Sequence, residues 1–403
     1  MSTTTSALRI LVAGGGIAGN AVALQLLRAE AGVTVVERAE APRPGGQAVD
    51  LRGPSRRVAE AMGLMEGIRK HQLQEEAMVL VDRKGAEVYR MDADMFGGKG
   101  PVADIEISRG DLNDVLLTEI AAAGGDLDYR YGDWITALAQ DDTGVDVTFA
   151  SGATERFDLV VAADGVHSAT RRMAFGPDEE FATYLGGYMS FYTIPSPAGV
   201  DPHWMTMHAR PKASVGVRAD ADPATSKAII TLRTEQDPAL RRDVPAQQQL
   251  IRDMLADAGW LAPEILAGMA NTPDFYFDEL VRIDMPTLSA GRVTLLGDSG
   301  FCGSPMTGMG TAMAIVGAYV LAGEIAATPG DLAGAQARYE EIVTPFLAKA
   351  KELPGGGIKM MLPNTEFGLK AAQLMGKLMT TRVMRPVMMK MLDQTEDYVL
   401  PVY

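Results

Sequence analysis

Cysteine is almost missing: Cys302 is the single one in 403 residues, which excludes an internal disulfide and fits a reducing setting. The four histidines, His71, His167, His203 and His208, have no metal-ligand spacing, so no metal site is expected. No GxSxG elbow or catalytic-cysteine signature occurs either. Basic runs are also lacking. With a net charge of -15 and no Lys/Arg-rich face to offset it, the chain would repel nucleic-acid phosphates and anionic lipid. The polar start MSTTTSALRI lacks the basic and apolar regions of a secretory signal, so a cytoplasmic location is the expectation. The most apolar run, Thr311 to Ala327, is interrupted by Gly317, Gly323 and Glu324 and falls short of the roughly 20 apolar residues of a membrane span. No membrane partner is expected, and no internal repeat is seen.

What is present is an ordinary globular balance, 47% hydrophobic and 22% charged, in a chain long enough for about two domains. Arg9 to Ala13 is an apolar run, Ile17 to Ala29 has helical periodicity, and Val33 to Glu37 is a second strand pattern. This is a βαβ unit, and AGGGIAG lies at its first turn. In that turn Gly14, Gly16 and Gly19 stand where a sharp turn, close approach to a pyrophosphate and tight helix packing each leave no space for a side chain. The helix start at Ile17 and Ala18 offers free N–H groups to phosphates. Glu37 is placed to accept hydrogen bonds from a ribose and would repel a 2'-phosphate, so an FAD or NAD adenosine suits this turn better than NADP. Arg38 is placed to cover the adenine or to remain a solvated surface residue.

A second turn, VTLLGDSGFCGSPMTGMG, follows about 280 residues later. Asp298 ends its apolar strand, where ligands bind in open α/β sheets, with a cap as the alternative. Pro305, Gly308 and Gly310 allow the backbone at Met309 and Thr311 to approach a flat ligand, and the following helix start favours negative charge there. One extended ligand would join the two turns. Arg109 stands in the first turn of a helix announced by Ser108 and Asp111, where a cation opposes the dipole; a ligand that rewards it is one reading and a tolerated exposed arginine the other.

Taken together, the glycine turn with Glu37-Arg38, the segment DLVVAADGVHSATRR (158–172) and GRVTLLGD with its later GMG resemble the fingerprints of the single-component flavoprotein monooxygenases of the aromatic-hydroxylase type. The stretch ERAEAPRPGGQAVDLRG (37–53) is similar to a loop of the tetracycline-inactivating flavin monooxygenases. The resemblance implies FAD contacts at Glu37, Arg38, Asp50, Arg109 and Asp298, an NADPH contact at Arg43, and a role for Asp164-Gly165 with both. Ser299, Gly300 and Phe301 depart from the Ala-Ala-His common in the family, and Met309 and Ala312 replace Gln and Asn. Only backbone contacts carry over at those positions. The implied chemistry is reduction of FAD by NADPH, with NADH as the alternative donor, followed by O2 addition to a flavin hydroperoxide and oxygen transfer to an aromatic or polycyclic small molecule. The cofactor would perform the difficult step, and no side chain is named as catalytic. A flavoprotein oxidoreductase without oxygen transfer, or one that only sequesters its ligand, remains an open alternative.

The expected fold is α/β: a Rossmann-like FAD-binding domain of the para-hydroxybenzoate-hydroxylase type, with an inserted, mostly antiparallel substrate sheet and a C-terminal helix. The domain boundaries are 1–75, 101–175 and 285–350 for FAD, 76–100 and 176–284 for substrate, and 351–403 for the helical segment. Tyr188, Phe191, Trp204 and Met207 are the candidates to line the substrate site, although alternation along a strand lets only about half of such residues share a face. Met360, Met361, Met375, Met379, Met384, Met388, Met389 and Met391 make the tail methionine-rich. A helix packed across both domains is the expectation there, with a membrane-surface face as the alternative.

Overall fold

The computed structural model describes residues 8–96, 103, 105–353, 356–381, 384 and 398–403; Met388, Met389 and Met391 of the tail lie outside them. A six-stranded sheet runs in the order 289–290, 293–295, 159–162, 9–13, 32–37, 127–131. All neighbours are parallel except the 289–290 edge pair. Parallel strands are covered on both faces, which explains unbroken apolar runs such as ILVA and LVVA. Ile10, Val12, Leu159 and Val161 pack in one core with the helices Ile17–Arg28, Arg109–Ala123 and Gly310–Ala327. Leu11, Ala13, Val36 and Val160 pack instead against a three-stranded antiparallel sheet of Ile135–Gln140, Val145–Phe149 and Thr154–Phe157. Gly310–Ala327 is, among the described residues, one helix long and apolar enough to cross a membrane, and 78% of that window is buried within the protein.

The second sheet has seven strands in the order 276–283, 182–195, 225–233, 213–219, 204–210, 77–81, 87–92. Its pairs are antiparallel except Trp204–Arg210 with Ala77–Val81. Directly paired residues share a face. Tyr276, Phe191, Ile229, Gly216, Met207, Leu80 and Tyr89 thus form one row on one side. The other side, through Tyr192, Ile194, Val215, Ala228 and Ile230, packs on the helices Val244–Leu255 and Ala262–Gly268.

Beyond these sheets, Glu366–Met379 forms a helix whose Gly376 lies against Tyr89: a Cβ at Gly376 would stand 2.6 Å from that ring. The last residues return to the first layer, where the Tyr403 ring covers Gly323 and its hydroxyl donates to Glu324 Oε1 at 2.8 Å. The described helix Glu366–Met379 therefore packs on the second sheet, and residues 398–403 make the contact with the first.

Candidate functional site

Three adjacent parallel strands end in the three fingerprints. Ala13 pairs with Ala162, and Ala162 with Leu295, so the residues that follow each leave the sheet at one edge. Chemistry-bearing segments 150 residues apart in sequence become neighbours by register alone. Gly14, at φ 107, lies so close that a Cβ would be 2.4 Å from the Ala163 carbonyl. Gly19 packs on the Gly14 carbonyl, where a Cβ would be 1.9 Å away, and at Gly15 it would meet the Tyr129 hydroxyl at 2.3 Å. Gly15 N–H donates to Glu37 Oε2 at 2.8 Å, and Ala39 N–H to Glu37 Oε1 at 2.8 Å. Gly16 heads the helix Ile17–Arg28 in extended conformation, and no side chain caps it. Its first N–H groups and positive dipole end are therefore left for a ligand.

The second turn touches the first. At Gly297, φ 69, a Cβ would stand 2.8 Å from Ala18 Cβ. Gly308 adopts the left-handed conformation at φ 65, and Gly308 and Gly310 face open space. Pro305 is exposed beside them. The helix Gly310–Ala327, entered through Met309, again has no side-chain cap. Thus both turns present bare backbone and an uncapped helix start, and Arg109 stands between them. Its guanidinium is the nearest group to Gly16, 4.0 Å from where a Cβ would be, and its charge reaches Asp298.

Arg109, Asp298 and Tyr276 are all exposed by surface area, yet Asp298 and Tyr276 lie deep in the protein mass. The surface they expose is the inside of a cleft between the two sheets. Burial raises the Asp298 carboxyl above its ordinary range, opposed by a Cys302 hydrogen bond and by Arg109. Burial likewise pushes the Tyr276 hydroxyl well up, with Asp278 adding and Arg109 opposing. The Tyr276 hydroxyl donates to Asp278 Oδ2 at 3.1 Å, and Asp278 Oδ1 is 2.9 Å from His167 Nε2. Arg241 donates to His167 Nδ1 at 2.8 Å, so Nε2 carries the ring proton and points at Asp278. Met306 of the second turn packs with Met189 and Leu280 and closes one end. Two other concavities, of about 440 and 510 Å³, include none of Arg109, Asp298 or Tyr276.

The FAD binding domain family matches residues 7–349. A flavin-dependent monooxygenase of Legionella longbeachae is 35% identical over 340 residues, covering 84% of this chain and 86% of that protein. The chain belongs to the family of FAD-dependent monooxygenases. Among solved structures, tetracycline destructase Tet(51) is similar over 98% of this chain and 100% of its own, at 32% identity and a TM-score of 0.80. Klebsiella pneumoniae HpxO, solved with FAD and uric acid, shares the fold at 20% identity and a TM-score of 0.75, over 96% of both chains. The monooxygenase's own geometry fits the cofactor. An uncapped helix start suits a pyrophosphate, Glu37 keeps lone pairs for a ribose, and the open Gly308–Gly310 edge admits a flat ring.

The remaining candidates divide. Arg43 is exposed on the loop that holds Arg109, whose N–H donates to Gln47 O at 3.0 Å. Arg38 lies over the Trp134 ring at 5.3 Å. The Asp164 carboxylate is taken up by Ser168, and by Thr170 N and Oγ1 at 3.0 Å each. It shapes the turn into the helix Ala169–Phe175. Phe191 and Met207 share the face of Tyr276, whereas Tyr188 stacks on Phe277 at 4.9 Å on the other side. Trp204 also lies there, packed with Ala77, Val79 and Val81 under Arg90. Strand alternation thus removes Tyr188 and Trp204 from the cleft lining.

Asn20 and Tyr129 were not foreseen in the site. Asn20, fully buried, donates to Gly15 O at 2.9 Å and accepts from Tyr129 at 3.0 Å, which pins the turn from beneath. An asparagine on the apolar stripe of a helix was the available signal. Tyr129 lies on Leu127–Tyr131, whose alternating Asp128 and Arg130 hide a strand of the parallel sheet.

Proposed function

We propose that this monooxygenase uses NAD(P)H and O2 to insert one oxygen atom into an electron-rich aromatic or polycyclic small molecule. The observation that carries the reading is the meeting of two bare glycine turns at one cleft, roofed by the Tyr276–Phe191–Met207 row of the second sheet. Bound FAD supplies the chemistry, accepting a hydride and activating O2.

Gly14–Gly19 and Glu37 would hold the adenosine end of FAD, and the backbone of Pro305 to Thr311 would hold its ring end. Arg109 balances the pyrophosphate, with Asp50 and Arg38 as further contacts. The dipole of Gly310–Ala327 favours negative charge at the ring edge. Arg43 is the cation for the phosphate of NADPH. Met189, Met306 and Leu280 exclude water. Tyr276, donating inward to Asp278, offers its oxygen lone pairs to a substrate hydroxyl.

The likeness to Tet(51) makes tetracycline the first probe. FAD-loaded protein, NADPH and isotope-labelled O2 are expected to give substrate-stimulated NADPH consumption and label in the product. Consumption without label supports a plain oxidoreductase instead; tight binding without turnover supports sequestration.

A further inference from the structure

Away from the ring end of the cleft, a buried ionic cluster joins the second sheet to the segment that holds the cofactor. Arg218, on Ala213–Ala219, donates from Nε to Glu75 Oε2 at 3.0 Å and from Nη2 to Glu106 Oε2 at 2.8 Å. Glu106 also accepts from Ala103 N–H at 3.0 Å. Glu75 and Glu106 are 0% and 1% exposed at their side chains, and Arg218 is 12% exposed.

Glu106 belongs to a two-stranded ribbon, Ala48–Asp50 against Glu106–Ser108, in which Asp50 pairs directly with Glu106. Asp50 in turn pairs with Arg52. The ribbon runs straight into Arg109. The two residues assigned above to FAD, Asp50 and Arg109, therefore hang on a strand pair that Arg218 grips from the other sheet.

Among the described residues, three carboxyls, Glu75, Glu106 and Asp50, meet the guanidiniums of Arg218 and Arg52. Glu75 Oε2 and Glu106 Oε2 both accept from Arg218 Nη2, and the buried Glu75 Oε1 has no donor among the described residues. Two buried carboxylates held on one guanidinium nitrogen repel each other, which disfavours the charged form of Glu106.

We propose that Arg218, held between the buried Glu75 and Glu106 carboxyls, positions the Asp50–Arg109 ribbon and thereby sets the affinity for FAD. The inference rests on the FAD reading above. All three act through the ribbon, as positioning residues. Burial, with Glu75 adding and Arg218 opposing, pushes Glu106 up to about 7, and burial pushes Asp50 up to about 6. Loss of the Glu106 proton adds a negative charge under a ribbon that holds an anionic cofactor. FAD binding therefore weakens as pH rises through neutrality.

The test is titration of the apoprotein with FAD, followed by flavin fluorescence. If binding raises the Glu106 pKa by about one unit, the wild-type Kd rises by up to about tenfold between roughly pH 6 and pH 8.5. Glu106→Gln keeps an acceptor for Arg218 while removing the titrating carboxyl, so its Kd stays low and nearly flat. Arg218→Met weakens FAD binding at every pH, and Arg218→Lys restores part of it. A Glu106→Gln protein with the full wild-type slope, or a wild type with no slope, overturns this inference alone. A wild type that takes up no FAD at any pH overturns the cofactor reading with it. Glu106→Gln, being isosteric, decides the matter even where Arg218→Met does not fold.

Discussion

Gly15 illustrates how one atom sets the site. Its φ is not in the left-handed region, so alanine is excluded by contact alone: the added methyl would meet the Tyr129 hydroxyl at 2.3 Å. Overpacking of this kind costs about 1–3 kcal/mol. Gly15→Ala is expected to lower FAD affinity at least about tenfold, the equivalent of about 1.4 kcal/mol, and Tyr129→Phe added to it should recover most of the loss. Fluorescence titration checks both; an unrescued double variant would contradict the contact argument. At Asp274, burial alone would raise the carboxyl, but hydrogen bonds from Thr193, Thr272 and Lys227 outweigh it and hold the group below its usual range. Its stabilising contribution is present above the unfolded carboxyl range and is lost as pH falls. Asp274→Asn should lower the melting temperature at neutral pH, with the difference shrinking below about pH 4.

At the scale of elements, the register of the second sheet separates residues of similar chemistry. Phe191→Ala and Met207→Ala open the cleft face, so they should change substrate KM while FAD binding persists. Tyr188→Ala, on the buried helix side, should cost stability by about 3–5 kcal/mol, as truncation of large buried side chains does, and is checked by denaturant unfolding. Equal kinetic effects on both faces would contradict the register. The strands Arg9–Ala13 and, within one residue, Gly32–Glu37 were legible because apolar runs and the glycine turn mark them locally. Leu127–Tyr131, Thr154–Phe157 and the helices Met65–Lys70 and Ala262–Gly268 were not, since each is short and owes its state to the sheet or core it joins. In the site, the glycines, Glu37, Arg109 and Asp298 were legible through turn chemistry. Tyr276, Asp278, His167, Arg218 and Glu75 were not, because pairing between distant strands brings them together.

For the whole molecule, the central claim is that one FAD spans both glycine turns. The fold makes the turns neighbours through Ala13, Ala162 and Leu295, closes them together at Gly297 and Ala18, and places Arg109 between them. Because the same ligand would tie both sheets, FAD should stabilise the whole chain, by an amount that grows with the logarithm of its concentration over Kd. A crystal structure of the FAD complex tests the claim most directly. The adenosine ribose is expected on Glu37, the pyrophosphate at the start of Ile17–Arg28 beside Arg109, and the ring along Gly308–Thr311 beneath Tyr276 and Phe191. A flavin ring away from the second turn, or an adenosine bound anywhere but the first, would contradict the account.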